Sequence, residues 1–408
     1  MSSTLALLIF TITYIGVALG RFPGLALDRT GVALLGGIAM VVTGVLTEGE
    51  ALRSVDGATL ALLYALMVVS AQLRLGGFYS HVAVRISRLV SPPRRFLLLL
   101  MLVSAGLSAV LVNDIVCLAF TPILATALLQ AGLNPIPFLL GLAISSNIGS
   151  AATIIGNPQN MLIGQVGRLD FGHFLLWCGP PSLLALLASY GVLIWRYRGR
   201  WQAAPNSRNE PPGALPPYDA HQTRKGLLAV VLLIVLFFTP LPREVSALVI
   251  AGVLLCSRRM QTRWILELVD WHLITLFIGL FVVIGGLEAA GWADQAMTWL
   301  AARGIALGNA CNLAVVAQVL SNAVSNVPAV MVLVKFLDPK TPGPWYVLAL
   351  SSTFAGNLLT IGSIANLIVI EQARLCGISI GFREHSRSGI PVAGVSLLIL
   401  LGWMALWR

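Results

Sequence analysis

The sequence predicts an all-α polytopic membrane protein with two inverted repeats, about ten transmembrane helices, discontinuous helices and two re-entrant hairpins. Three observations predict it. The 408-residue chain is 57% hydrophobic and only 10% charged, where a soluble domain carries about 25% charge. Apolar runs recur from one end to the other. Two of the membrane segments, 145–160 and 351–366, resemble each other and are rich in glycine, serine, threonine and asparagine where leucine is expected.

So little polar surface excludes a soluble domain of any size, so the solvent of this chain is mostly lipid. The net charge of +10 does not mark a nucleic-acid partner, because the arginines sit in short clusters between apolar runs. That is the positive-inside pattern of a membrane protein. The N-terminal MSSTLALLIF lacks a basic n-region and an A-x-A site, so it reads as a first span rather than a signal peptide. The cysteines Cys117, Cys178, Cys256, Cys311 and Cys376 are scattered, as packing residues are. The histidines His81, His173, His221, His272 and His385 fall mostly in loops and form no motif. No catalytic dyad or metal cluster is expected, and an enzyme reading is set aside. A channel, which wants rings of like residues around a pore, is also disfavoured.

Apolar runs fall at about 4–20, 30–47, 57–75, 96–130, 136–165, 174–195, 226–240, 244–257, 271–290, 305–337, 344–372 and 389–407. Most fit one crossing of ~20 residues. The run 96–130 would be about 52 Å long as one helix, well beyond the ~30 Å hydrocarbon core. Asn113-Asp114 lie at its centre. The run 305–337 has the same excess, with Ser325-Asn326-Val327-Pro328 past its middle. Both read as helix–turn–helix hairpins whose polar tips sit inside protein, since unpaired backbone is not tolerated in hydrocarbon. Counting the loops on that basis puts nineteen of the 26 cations on one side. That side is expected to be cytoplasmic, leaving the N-terminus outside. The chain then divides into a first repeat (1–195), a cytoplasmic linker rich in proline and charge (196–225) and a second repeat (226–408). A bacterial-type inner, or plasma, membrane is the expected location.

The halves align along their length. Residues 52–78 parallel 266–292, pairing Asp56 with Asp270 and Gly77 with Gly291. Residues 145–160 align without a gap to 351–366, with five identities in sixteen positions. The offset drifts only from 214 to 206. An odd number of crossings separates the copies, so they lie inverted, as in transporters whose halves share a midplane site.

Glycine and small polar residues let a helix unwind within the bilayer, and Pro158 would interrupt the span 136–165 further. The span 344–372 is its partner. Exposed helix N-termini carry partial positive charge and free N–H groups, which hold anions without lysine or arginine. The residues expected at the site are Asn113, Ser145, Ser146, Asn147, Asn157 and Asn160 from the first half. Ser325, Asn326, Ser351, Ser352, Asn357, Thr360, Ser363 and Asn366 come from the second. As interhelical glue the same small residues would also make sense one by one. Asp114 is the one carboxylate in the middle of an apolar run. An intramembrane acid is a functional candidate, and three roles are open to it: binding Na⁺, carrying a coupled proton, or capping the second hairpin helix. Asn113, Thr153 and Asn326 join it as candidate ligands of a coupling ion, H⁺ or Na⁺. Lys335 is expected to snorkel to the interface. No cofactor is expected.

These motifs resemble the ion transporter superfamily of arsenite permeases, NhaD-type antiporters and divalent-anion/sodium symporters. VNDIVCLAFTPI (112–123) is similar to the first hairpin of arsenite permeases, where Asn-Asp precedes an apolar run and Thr-Pro. NPIPFLLGLAISSNIGSAATIIGNPQNMLIG (134–164) resembles the first unwound span, LSNAVSNVPAVMVL (320–333) the second hairpin, and GNLLTIGSIANLIVI (356–370) the second unwound span. The match is nearest to the poorly characterised anion permeases. The symporters' Ser-Asn-Thr tip reads Val112-Asn113-Asp114 and Ser325-Asn326-Val327 here, without either threonine. The resemblance implies a homodimer with a fixed scaffold and a moving transport domain. It implies ion-coupled, elevator-type transport of a small anion or oxyanion of the arsenite or antimonite kind. Na⁺- or H⁺-coupled uptake of a di- or tricarboxylate, and Na⁺/H⁺ antiport, are the alternatives.

Overall fold

The computed structural model describes residues 2–20, 26–202, 218–257 and 259–406. The first half holds α1 (Ser2–Leu19), α2 (Arg29–Val42), α3 (Glu48–Ser54), α4 (Gly57–Leu75), α5 (Phe78–Ser87), α6 (Pro93–Val110), α7 (Asn113–Gln130), α8 (Ile136–Ser150), α9 (Pro158–Val166) and α10 (Phe171–Arg196). The second holds α11 (Ala220–Phe237), α12 (Arg243–Leu255), α13 (Thr262–Leu266), α14 (Trp271–Ala289), α15 (Trp292–Ala301), α16 (Ala310–Val324), α17 (Asn326–Leu333), α18 (Pro342–Ala355), α19 (Ile364–Leu375) and α20 (Phe382–Leu406). Among the described residues, seven helices are long and apolar enough to cross a membrane: α4, α6, α7, α10, α11, α14 and α20. Most of the expected linker, 203–217, lies outside the described residues.

Local chemistry repeats with the elements. Asp56 caps α4 by accepting from Thr59 N at 2.7 Å, and Asp270 caps α14 by accepting from Leu273 N at 2.9 Å. Such caps satisfy N–H groups that the helix itself leaves unpaired. Gly77 (φ 73°) and Gly291 (φ 76°) then turn the chain into α5 and α15, a left-handed conformation that glycine adopts without a Cβ penalty. The short amphipathic helices α3, α5, α13 and α15 fall outside the apolar runs that the sequence marks.

Both over-long runs break where polar residues interrupt them. Leu111 and Val112 are extended between α6 and α7. Ser325 (φ 77°, ψ 159°) separates α16 from α17. A non-glycine residue there stores about 1–3 kcal/mol of strain. Both ends of the first hairpin lie beside the end of α10. Arg94 O accepts from Tyr190 Oη at 3.2 Å, and Asn134 N donates to Trp201 O at 2.9 Å. The second hairpin ends beside the end of α14, where Lys335 Nζ meets Glu288 Oε2 at 2.7 Å. The first hairpin therefore enters and leaves on one face.

The inversion is visible in one cleft. Asp56 and Gly57, which start α4, line it together with Glu288 and Ala289, which end α14. The paired helices thus run in opposite directions. Partners are exchanged accordingly: α2 packs on α14, and its counterpart α12 packs on α4. Val112 at the first hairpin tip sits with Val230 and Leu233 of α11. Tyr14 Oη of α1, the counterpart of α11, donates to Pro328 O of the second hairpin at 3.2 Å.

Candidate functional site

The two spans rich in small residues are broken. Between α8 and α9 the chain is non-helical over 151–157, and between α18 and α19 over 356–363, apart from a single 3-10 turn at Thr360–Gly362. Pro158 stands at the first position of α9, where a missing N–H costs nothing. Asn160 and Asn366 close the two breaks in the same way. Asn160 Nδ2 donates to Ser150 O at 3.2 Å and Thr153 O at 3.0 Å. Asn366 Nδ2 donates to Gly356 O at 2.6 Å and Leu359 O at 3.2 Å. Each carboxamide replaces helical partners that the break removes, which buried carbonyls need.

Asn147 joins the breaks to each other. Its Nδ2 donates to Asn357 Oδ1 at 3.0 Å and Asn366 Oδ1 at 3.1 Å. Its Oδ1 accepts from Ser363 Oγ at 2.8 Å. The counterpart contact is looser, with Asn157 Nδ2 at 3.4 Å from Thr353 Oγ1. Asn157 also caps α9 by accepting from Asn160 N at 2.8 Å, and Ser363 caps α19.

The hairpin tips meet these breaks. Asn113 N donates to Gly156 O at 3.3 Å, and Ser146 Oγ donates to Asn113 O at 3.1 Å. With its amide turned so that nitrogen faces the carbonyls, Asn326 donates to Ser352 O at 3.1 Å and Gly362 O at 2.9 Å. Four helix N-termini, those of α7, α9, α17 and α19, therefore converge on one buried region. Its side chains carry no formal charge except Asp114.

The expected residues divide into two groups. Asn113, Asn147, Asn157, Asn160, Asn326, Asn357, Ser363 and Asn366 come together at the breaks, and all are buried. The others serve neighbouring packing. Ser145 Oγ bonds Ser104 Oγ at 2.5 Å and Ser146 Oγ bonds Ser108 Oγ at 2.8 Å, tying α8 to α6. Thr153 Oγ1 donates to the Ala109 carbonyl of α6. Ser351 and Ser352 bond carbonyls within α18. Ser325 makes no side-chain cap, and Thr360 lies in the 3-10 turn. Three groups at the breaks have a polar atom that is buried and unpaired: Asn113 Oδ1, Asn160 Oδ1 and Asn357 Nδ2.

Asp114 lies half-buried in the first turn of α7, with Asp270 within electrostatic reach. It does not cap that helix: the N-cap is Val112 and makes no side-chain bond. The capping role is corrected accordingly: Asp114 is the second residue of the helix, past the N-cap position, and its carboxylate bonds none of the free N–H groups. Lys335, expected to snorkel, is partly exposed and pairs with Glu288 at the end of α14. His385, which the sequence places outside the last apolar run, is buried within α20. The helix starts at Phe382, seven residues before that run, because a polar turn is sheltered by its neighbours.

Beside this region a cleft of about 630 Å³ opens between α9 with α17 and α3, α4 and α14, lined by Asp56, Leu162, Met331 and Lys335. A second of about 860 Å³ adjoins it around Arg168, Asp170 and Arg243.

Broken helices from two inverted halves that meet around an enclosed polar region define a secondary transporter, a multi-pass membrane protein. The match of residues 5–355 to the family model CitMHS, described as citrate transporter, shows that the chain belongs to that family. An uncharacterised transporter of Mycobacterium tuberculosis is 31% identical, over 99% of this chain and 98% of its own. The silicon efflux transporter LSI3 of Oryza sativa subsp. japonica is 27% identical over 90% of each chain. The putative transporter arsB of Dictyostelium discoideum is 23% identical, over 93% of this chain and 88% of its own. The fold is similar to the crystal structure of the YdaH transporter of Alcanivorax borkumensis, with a TM-score of 0.57 and 14% identity over 99% of this chain and 96% of that one.

Proposed function

We propose that this chain carries a small oxyanion or weak acid, of the arsenite or antimonite kind, across the cell's inner membrane, coupled to H⁺ or Na⁺. The observation that carries the reading is a site of carboxamides and helix N-termini without lysine or arginine. Each N-terminus supplies about half a positive charge. Four of them amount to about two positive charges and Asp114 offsets one, which suits one negative charge or a hydroxylated weak acid and suits a tricarboxylate poorly. The relatives with silicon efflux and arsB in their names support the choice.

Asn113, Asn147, Asn157, Asn160, Asn326, Asn357, Ser363 and Asn366 hold the solute in this reading, and Asp114 is one candidate seat for the coupling ion. The hairpins, α8–α9 and α18–α19 move against a scaffold containing α1, α2, α11 and α12, in a homodimer with the N-terminus outside. The family description favours one second reading, uptake of a di- or tricarboxylate.

Flux into proteoliposomes separates these. Arsenite, phosphate, sulfate, succinate and citrate are offered in turn, with Na⁺ and H⁺ gradients imposed separately. Movement of a small oxyanion or weak acid is expected. Citrate uptake alone transfers the assignment to carboxylates. Silence toward every anion, with Na⁺-driven proton movement, makes the chain an antiporter. An Asp114→Asn variant that still responds fully to both gradients removes Asp114 from coupling.

A further inference from the structure

We propose that His385 is a proton-binding site loaded together with an anion at the neighbouring break, so that a proton travels with the solute. The inference rests on the transport reading above and adds to it the identity of the coupled ion and its seat.

His385 stands one turn into α20, with 1% of its surface exposed. The helix is pressed onto the second break. A Cβ added at Gly389, one turn further on, would lie 2.2 Å from Asn357 O and 2.7 Å from Leu358 O. The imidazole itself lies against the Asn357 main chain, yet neither ring nitrogen completes a hydrogen bond of good geometry. Asn357 is the residue whose side chain meets Asn147 at the crossing and whose Nδ2 is buried and unpaired. An orphaned donor and an orphaned imidazole thus flank the same stretch of broken backbone.

The charged surroundings are sparse. From α20 itself, Arg383 and Arg387 are exposed. Glu384 accepts from Tyr197 Oη at 2.6 Å, beside Ser388. The end of α10 contributes Tyr197 and its neighbour Arg196. The segments of α8 and of 347–370 packed near it contain no titratable side chain. The one neighbouring carboxylate among the described residues, Glu384, is engaged by Tyr197 Oη rather than by the imidazole. A buried charge without a partner is costly, and an anion at the break supplies that partner. Each then favours the binding of the other, and the coupling is reciprocal. The proton comes from water and rests on a ring nitrogen, and no covalent bond of the solute changes. With a monoanion the step is electroneutral.

The test is accumulation in proteoliposomes of whichever of arsenite, phosphate, sulfate, succinate or citrate the wild type exchanges. A one-unit pH gradient, alkaline inside, is expected to hold an accumulation ratio of about tenfold for one coupled proton. In His385→Gln the ratio falls to one, whatever the residual rate of exchange. The ratio is an equilibrium quantity, so a merely slowed or destabilised variant leaves it intact. A His385→Gln protein that keeps the wild-type ratio overturns the proposal. So does a wild type whose accumulation ignores the gradient, even if the variant does not fold. A wild type that exchanges none of the anions removes the anion-transport reading, and this inference with it.

Discussion

Asn147 on α8 and Asn366 on α19 lie 3.1 Å apart, Nδ2 to Oδ1, although 219 residues separate them. This bond crosses from one broken span to the other and couples the two halves at the place where both lose their helical pairing.

Asn147→Ala removes both donors of the crossing and the acceptor of Ser363. Asn357 and Asn366 oxygens are then buried with fewer partners. A loss of roughly 2–5 kcal/mol is expected, at about 1–3 kcal/mol for each stranded group. Thermal unfolding in detergent measures it, and flux should fall by at least an order of magnitude. Wild-type melting and flux together would show that the crossing is dispensable.

Gly156 has no room for a side chain, since a Cβ there would lie 2.3 Å from Ser150 O. Gly156→Ala is expected to destabilise by about 1–3 kcal/mol, the usual cost of overpacking. Gly191 on α10 meets nothing within 4 Å. Gly191→Ala should leave the melting temperature unchanged or raise it, because alanine suits a helix interior better by about 0.5–1 kcal/mol. Equal shifts for the two variants would contradict the close approach at the first break.

Asn160 and Asn366 close their own breaks alike, but Asn366 Oδ1 also accepts the crossing bond from Asn147, whereas Asn160 Oδ1 is unpaired. Both Asn160→Ala and Asn366→Ala should lower flux and cost about 1–3 kcal/mol for each stranded group, with Asn366→Ala the more costly. A variant that affects only one break, judged by protease or hydrogen-exchange protection of 151–157 against 356–363, would be consistent with this. Loss of protection at both from either substitution would mean that the breaks are not independently closed.

The Lys335–Glu288 pair joins the second hairpin to α14, but the side chains are 36% and 51% exposed. Such a pair contributes about 0–1 kcal/mol and is screened by salt. Lys335→Ala should barely move the melting temperature. Under the proposed elevator movement the pair opens in each cycle, so turnover should change more than solute affinity. The double variant Lys335→Glu with Glu288→Lys should restore wild-type turnover at low salt.

Much of the broken-helix geometry around the candidate site was legible without coordinates. Asn113 and Asn326 mark real hairpin tips because a polar pair in the middle of a run too long for the bilayer leaves few alternatives. The breaks at 151–157 and 356–363 fall within the stretches marked by small residues. The boundaries were less legible. Ser145, Ser146 and Asn147 are adjacent in sequence, yet Ser145 bonds α6, Ser146 bonds both α6 and the hairpin-tip carbonyl of Asn113, and Asn147 faces the crossing. Successive helical residues point about 100° apart, and composition does not say which direction faces the partner. The helices α3, α5, α13 and α15 escaped notice because their apolar faces are short. His385 escaped because a polar turn at a helix start looks like a loop.

The sequence by itself determined that the chain lives in lipid, that it repeats, and where its long helices must break. The reason is that the bilayer imposes one local rule, pairing every backbone polar group within a fixed thickness, and residue types obey it segment by segment. Only the tertiary structure decided which carboxamides meet, that Asp114 caps nothing, and that His385 rests on the second break. Those outcomes depend on the rotation and depth of helices packed from distant parts of the chain, which no stretch of residues specifies alone.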